Sequence, residues 1–436
     1  MRQRIGIGRF LVVLLGLSAC AIAADKGTEE KTPAPDRWKP KQFLITFWCP
    51  PPATEEALSA VAAEHYNLTW LPAEGLDLAA KHKLRAMLTS DLLNPAVLDD
   101  PAKKAQLDAL IDRVKGHPAM EAYFILDEPG AAAFAGLGRL VAYLRQRDPG
   151  HLAYINLFPT YASEQQLGIT ADKVGKPEAG YPAGWQGIGP GNKVVIAYRE
   201  HLRQFVETVK PDLISYDHYH FFKDTDTPQY FLNLGLIRQA AMEAGRPFLN
   251  IIQASVVEKV WRLPKINELR WLVFTTMAYG GRGISYFTYW GPESYGGLYQ
   301  DGKKSPLAGQ VAELNAEIEK FGPALMELDS IGAYHTDPLP LGTTAIPADC
   351  PVKVSGAGPL VQGLFAQEGK PSAFMVVNRN YNQPTAATVR VEPAFERLQE
   401  LDRKTGQWVD GPTMTDRTMK IDLQPGDGRL FRAWKK

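Results

Sequence analysis

The sequence predicts an α/β protein: a (β/α)8 barrel followed by a C-terminal antiparallel β-sandwich. Three observations carry this. From Gln42 onward, eight short apolar runs alternate with helical patterns. No glycine-rich phosphate loop follows the first run, which disfavours an open nucleotide-binding sheet. Past about Asp329 the helical period disappears, and Pro- and Gly-rich punctuation separates short strand-like runs. Eight strand-then-helix units in succession specify a closed barrel of the TIM type more naturally than a doubly wound sheet.

The elements follow in chain order. Residues 1–23 read as an export signal: Arg2, Arg4 and Arg9 precede the apolar run Phe10 to Leu17, which is too short to span a bilayer as a permanent helix. The run ends in Leu17-Ser18-Ala19-Cys20, which looks like a bacterial lipobox with Cys20 as the lipidated residue; Ala21-Ile22-Ala23 offers a competing cleavage site. Either reading exports the protein, to the periplasm, to an outer-membrane anchor or to the medium. Residues 24–41, rich in Lys, Glu, Thr and Pro, read as a flexible tether.

The barrel is expected over 42–329. Its strands are read at Phe43–Trp48, Asn67–Leu71, Leu84–Thr89, Ala122–Leu126, Leu152–Phe158, Leu213–Tyr216, Phe248–Ile252 and Gly283–Tyr289. Each is apolar and rich in β-branched or aromatic residues, as strands buried on both faces are. Between them, Leu107, Leu110, Ile111 and Val114 mark one helix face, and Phe134, Leu137, Leu140, Val141 and Leu144 the next. Tyr198, Leu202, Phe205, Val206 and Val209 repeat the pattern, and Leu307, Val311, Leu314, Ile318 and Phe321 close the series. The sandwich is expected over 330–436, with strands around Phe374–Val377, Thr388–Val391 and Met419–Leu423 and a turn at Asn378–Asn382.

Composition narrows the function. Forty-eight basic residues balance 48 acidic ones, so neither a nucleic-acid-binding stripe nor an acidic tail stands out. Membrane association is expected only through an N-terminal lipid anchor. Cys49 and Cys350 are read as separately placed thiols, although a bridge is open in an oxidising compartment. No cysteine or histidine spacing supports a metal, and no cofactor is implied.

In a barrel of this kind the strand C-termini converge on one mouth. The fourth strand delivers Asp127 and Glu128, where Pro129 ends the ladder. An acidic strand-to-helix junction that merely caps amides is the bland alternative. Trp48 comes from the first strand, Asn156 from the fifth, Asp217, His218, Tyr219 and His220 from the sixth, and Asn250 and Gln253 from the seventh. The eighth gives Tyr286, Tyr289, Trp290 and, just beyond, Glu293. Carboxylates, amides and aromatic faces on one rim suit a polyhydroxylated ligand. Glycosidic cleavage generally needs one protonated and one ionised carboxyl. Neighbouring acids raise one another's pKa, so Glu128 is expected as general acid/base, Asp217 as the second carboxylate and Asp127 as a tuning acid. Trp48, Asn156, His218, Tyr219, Gln253, Tyr289 and Trp290 are the expected sugar-binding set. For Asp217 the competing reading is a contact with a neighbouring histidine, and for the histidines a purely packed role.

These features resemble the clan of (β/α)8 glycoside hydrolases that includes family 42 β-galactosidases and family 5-like enzymes. In that clan the fourth strand ends in Asn-Glu, whose Glu is the acid/base; here Asp127-Glu128 takes those places. Asp217 and Tyr219, and Trp290 after Tyr286-Phe287-Thr288-Tyr289, are similar to residues the clan carries on its sixth and eighth strands. The clan's nucleophilic Glu on the seventh strand has no counterpart in Asn250-Ile251-Ile252-Gln253.

The expected activity is therefore hydrolysis of glycosidic bonds in an oligo- or polysaccharide. Three alternatives stay open: an inert carbohydrate-binding barrel, a substrate-assisted N-acetylhexosaminidase using Asp127-Glu128, and a lyase or deacetylase with another base set. A carboxyl separation of roughly 5–5.5 Å would imply retention and about 6.5–9.5 Å inversion.

Overall fold

The computed structural model describes residues 37–175, 186–189, 191–291, 296–395 and 397–433. Eight parallel strands form one sheet: β1 Leu44–Phe47, β2 Leu68–Leu71, β3 Arg85–Leu88, β4 Met120–Asp127, β5 Leu152–Leu157, β6 Ile214–His218, β7 Phe248–Gln253 and β8 Gly283–Phe287. Each lies within two residues of its expected place. β1 pairs with β8 in parallel, and ladders run from β8 back to β2. The remaining seam, between β1 and β2, is closed by Asn67, whose Oδ1 accepts from Ile45 N at 2.9 Å and whose Nδ2 donates to Phe43 O at 2.8 Å. A side-chain amide thus replaces a ladder rung where the sheet meets itself.

The helices are α1 Glu55–Ala63, α2 Leu76–Lys81, α3 Pro101–Val114, α4 Phe134–Arg147, α5 Glu164–Leu167, α6 Lys193–Gln204, α7 Tyr230–Ala244, α8 Ile266–Ala278 and α9 Pro306–Met326. Asp100 caps α3 through its carboxylate, with Pro101 at the first helical position. In α4 only the Phe134, Leu137, Leu140, Val141 and Leu144 stripe is buried, so one face packs on the sheet. α8 differs: from Leu269 to Ala278 all but Arg270 are buried. A helix apolar all round must be covered all round, and the C-terminal module covers its outer face.

That module begins at β12. A three-stranded ribbon first intervenes, comprising β9 Trp290–Gly291, β10 Tyr299–Gln300 and β11 Lys303–Lys304. The six-stranded sheet takes the order β12-β14-β15-β20-β17-β18, from Asp329–His335, Leu360–Gln367, Lys370–Asn378, Gly428–Ala433, Leu398–Leu401 and Trp408–Asp410. Facing it is β13-β16-β19, from Val352–Gly356, Thr385–Val391 and Thr418–Leu423. Val354, Leu364, Phe374, Val376, Val389, Ile421 and Phe431 fill the space between the sheets.

The sandwich is pressed onto α8. A Cβ added at Gly363 would collide with the Ala278 carbonyl, and one at Gly426 with the Asn267 carbonyl. Ion pairs rim the contact: Arg270 bridges Glu317 at 2.9 Å and Asp427 at 2.7 Å, and Arg403 meets Asp427 at 2.9 Å.

The tether does not extend to Lys41: Trp38 is buried and donates through Nε1 to Glu121 at 2.8 Å, and Arg37 pairs with Asp212 at 2.6 Å. A large ring beside a buried carboxylate holds the chain to the barrel. The expected signal with Cys20, and tether residues 24–36, lie outside the described residues. Cys49 and Cys350 are separate free thiols.

Candidate active site

β4 supplies the acids through two backbone irregularities. Its pairing with β5 slips between Phe124 and Leu126. The extra residue places Phe124 and Asp127 on the same face, although residues three apart in a regular strand would oppose one another. Phe124 packs against Trp70 at 4.6 Å between ring centroids, and Asp127 accepts from Asn156 Nδ2 at 3.0 Å. Next, Glu128 adopts a φ of 45°, while its amide still donates to Asn156 O at 2.9 Å. A left-handed conformation costs a residue with a Cβ about 1–3 kcal/mol, and such strain concentrates at functional positions.

Asn156 is the hub. Its Nδ2 donates to Asp127 and, at 2.9 Å, to Asp217 Oδ1, and its Oδ1 accepts from Ser215 Oγ at 3.0 Å. Tyr154 OH stands 2.8 Å from Ser215 Oγ. Alternation explains the set: Tyr154 with Asn156, and Ser215 with Asp217, are two apart on neighbouring strands and share a face. One buried carboxamide therefore bridges two acids that would otherwise repel.

The carboxyls of Glu128 and Asp217 are in hydrogen-bonding contact with each other. Burial, then the Asp127 charge, push Glu128 up to about 7, while the contact with Asp217 pulls the other way. Asp217 is 2% exposed. Burial foremost, with the charge of Glu128, raises its pKa well above the ordinary value. Neither cause leaves room for two negative charges, so the pair holds a proton near neutrality. Asp127 opens onto solvent at the rim, yet enough protein surrounds its carboxyl for burial to raise it.

Aromatic rings flank these acids. Trp48, Trp70 and Phe124 form one cluster, with Trp48 and Trp70 centroids 4.7 Å apart. Tyr219 forms another, 4.5 Å from Trp261 and 4.9 Å from Phe287. The Tyr219 hydroxyl is raised by burial and then by the charges of Asp217, Tyr161, Asp127 and Glu128, and alternation carried one residue past β6 sets Tyr219 on the face of Asp217, two residues before it. Tyr161 OH accepts from Tyr219 N at 3.1 Å and feels Asp217 and Glu128 in the same way.

Of the residues expected from sequence, Glu128, Asp127, Asp217, Asn156 and Tyr219 come together, with Trp48 joined through Phe124. Four do not join them. His218 is fully buried on the opposite face of β6, with Nδ1 2.9 Å from Asn233 on α7, and burial lowers its pKa to about 3. Gln253 is fully buried and committed to backbone groups: Oε1 accepts from Phe221 N at 2.8 Å, and Nε2 donates to Phe221 O at 3.0 Å and Arg262 O at 2.8 Å. Tyr289 is buried against Phe47 and donates to Glu64 at 2.9 Å. Trp290 lies parallel to Tyr299 in the ribbon after β8, with centroids 5.7 Å apart. Asn250 likewise bonds Thr276, and His220 packs on Trp271. Glu293 lies outside the described residues.

Sequence reading missed Tyr154, Ser215, Tyr161, Trp70, Phe124 and Trp261. Counting back two from Asn156 and Asp217 would have found the first two. Tyr161 and Trp261 sit in loops, where no periodicity points at them. No group of three or more metal-ligating side chains occurs among the described residues.

No family model matches this chain, and no curated protein matches it in sequence. Solved structures do. A catalytic mutant of a family 42 β-galactosidase from G. stearothermophilus is similar over 90% of this chain and 98% of its own, with a TM-score of 0.53 and 9% identity. An endo-β-1,4-mannanase from Thermotoga petrophila covers 88% of this chain and 97% of its own, with a TM-score of 0.39 and 10% identity. A family 30 endoxylanase from Clostridium papyrosolvens covers 89% and 95%, with a TM-score of 0.39 and 10% identity. The likeness to the family 42 enzyme is one of fold: a (β/α)8 barrel followed, in this chain, by an antiparallel β-sandwich.

Proposed function

We propose that this protein is an exported glycoside hydrolase acting on an oligo- or polysaccharide, with Glu128 and Asp217 as its two carboxyls. The observation that supports it best is the proton-sharing pair at the C-terminal mouth of the barrel, with Glu128 poised at about 7. Cleavage needs a proton on the leaving oxygen and negative charge near the anomeric carbon. Glu128, the more accessible partner, delivers the proton as the glycosidic C–O bond breaks. Asp217, fixed by Asn156, gives up its share of that proton through Glu128 and is left as the carboxylate that faces the developing positive charge. Water then gives its hydroxyl to the anomeric carbon and its proton back to the pair. Burial and, after it, the Asp127 charge hold the proton on Glu128 toward neutrality, and the flanking rings take the apolar faces of the sugar. Export rests on the basic n-region and apolar run of residues 1–23, with Cys20 as the anchor.

A second reading, an inert glycan-binding barrel, draws on the absence of a carboxylate at the end of β7, where Gln253 stands. The two separate cleanly. Wild-type protein and Glu128→Gln are incubated with oligosaccharides and aryl glycosides, N-acetylhexosaminides included, and products are followed by NMR. Hydrolysis reduced by about 10²–10⁴-fold in the variant is the expected result. Binding by both proteins without turnover would establish the inert barrel instead. Turnover confined to N-acetylhexosaminides would move Asp127 to the role of orienting the substrate's acetamido group.

A further inference from the structure

We propose that Gln253 is a positioning residue: its carboxamide clamps the loops after β6 and β7 into one platform that holds Tyr219, two residues past Asp217, against Trp261. The sugar these rings would take rests on the function proposed above; the clamp does not.

The side chain ends where the two loops meet. It satisfies both backbone groups of Phe221 in the first loop and the Arg262 carbonyl in the second. Only a primary amide of this length offers one acceptor and two donors to such a trio. Around it the loops pair directly: Arg262 N donates to Phe221 O at 3.2 Å and Lys223 N to Val260 O at 3.0 Å, with a bridge between Phe222 and Trp261. The Arg262 guanidinium lies 4.6 Å over the Phe221 ring and pairs with Asp226 at 3.0 Å and Glu268 at 2.8 Å. From the sandwich, Tyr381 donates its hydroxyl to Asp226. The Tyr219–Trp261 ring contact, 4.5 Å between centroids, spans the two loops so joined.

The residue at the end of β7 therefore shapes the site without touching the reaction. A glutamate there would not restore a nucleophile. Ionised, it would set oxygens against the carbonyls of Phe221 and Arg262 and push the platform open; protonated, it could still donate to one of them.

Gln253→Glu tests this through hydrogen exchange of residues 219–227 and 255–262, compared with wild type at about pH 5 and pH 8 with intrinsic rates matched. We expect both loops to exchange about tenfold faster in the variant at the higher pH and to return toward wild type at the lower, as loss of buried hydrogen bonds implies. On a sugar that wild type hydrolyses, KM should rise about tenfold while kcat changes little. Wild-type exchange at both pH values, loosening of one loop alone, or a gain in kcat would overturn the proposal. Should Gln253→Glu not fold, Tyr381→Phe, at the half-buried rim, should quicken exchange about two- to threefold in the same loops. No change there would overturn it equally. If wild type hydrolyses nothing, the exchange result still decides the clamp, so its failure and that of the proposed hydrolysis are told apart.

Discussion

The two sides of the barrel mouth are built from the same strand-and-loop unit but use polar side chains in opposite ways. On β4 to β6, polar groups are under-served: one carboxamide bridges two acids, and two carboxyls press on each other with a raised affinity for protons. At the end of β7 and just past β8, two polar side chains are saturated: Gln253 spends its carboxamide on backbone, and Tyr289 gives its hydroxyl to Glu64. Burial alone does not distinguish the sides, since Asp217 and Gln253 are both nearly inaccessible. What differs between these two side chains is unspent bonding capacity. A saturated buried group stabilises; an unsaturated or compressed one stores the drive to bind or to transfer a proton.

The largest effect that would test this contrast comes from exchanging one residue on each side. Asp217→Asn should cut hydrolysis by about 10²–10⁴-fold, whereas Tyr289→Phe should leave kcat within about twofold and cost about 1.5–3 kcal/mol in denaturant unfolding. Comparable kinetic losses in both would erase the distinction.

A smaller effect concerns the pH profile. The Asp127 charge helps hold Glu128 at about 7. Asp127→Asn removes that charge, so the alkaline limb of kcat/KM should move to lower pH; a limb that stays put would detach Asp127 from the acid.

Smallest is a stability difference. Glu128 is raised from 4.5 to about 7, so the folded state binds its proton more tightly than the unfolded chain. The stabilisation is complete below about pH 4.5 and is lost as pH climbs through about 7. Glu128→Gln, which cannot ionise, should melt a few degrees above wild type at roughly pH 8 and level with it at about pH 4. A lower melting point at the higher pH would contradict a compressed pair.

The barrel was legible because burial on both faces leaves a coarse imprint: each strand is a short apolar run, and Phe134 to Leu144 shows its helical period plainly. The acids of β4 were legible because Pro129 marks where the strand must stop. What sequence could not convey was the direction of side chains near breaks in alternation. The slip at Ile125 sets Asp127 on the face of Phe124, and His218, one step beyond Asp217, turns away toward α7. Nor does sequence reveal saturation. Gln253 reads as a sugar ligand until the backbone of a loop more than 30 residues away in the chain, at Phe221, is seen to consume it.

The docking of Gly363 and Gly426 onto α8 makes the two modules one unit for truncation. Backbone meets backbone there, and no residue larger than glycine fits at either point. A barrel cut free after α9 would expose the outer face of α8 to water and invite aggregation. Truncation between the two modules should therefore yield an insoluble barrel, where removal of an independent module would not.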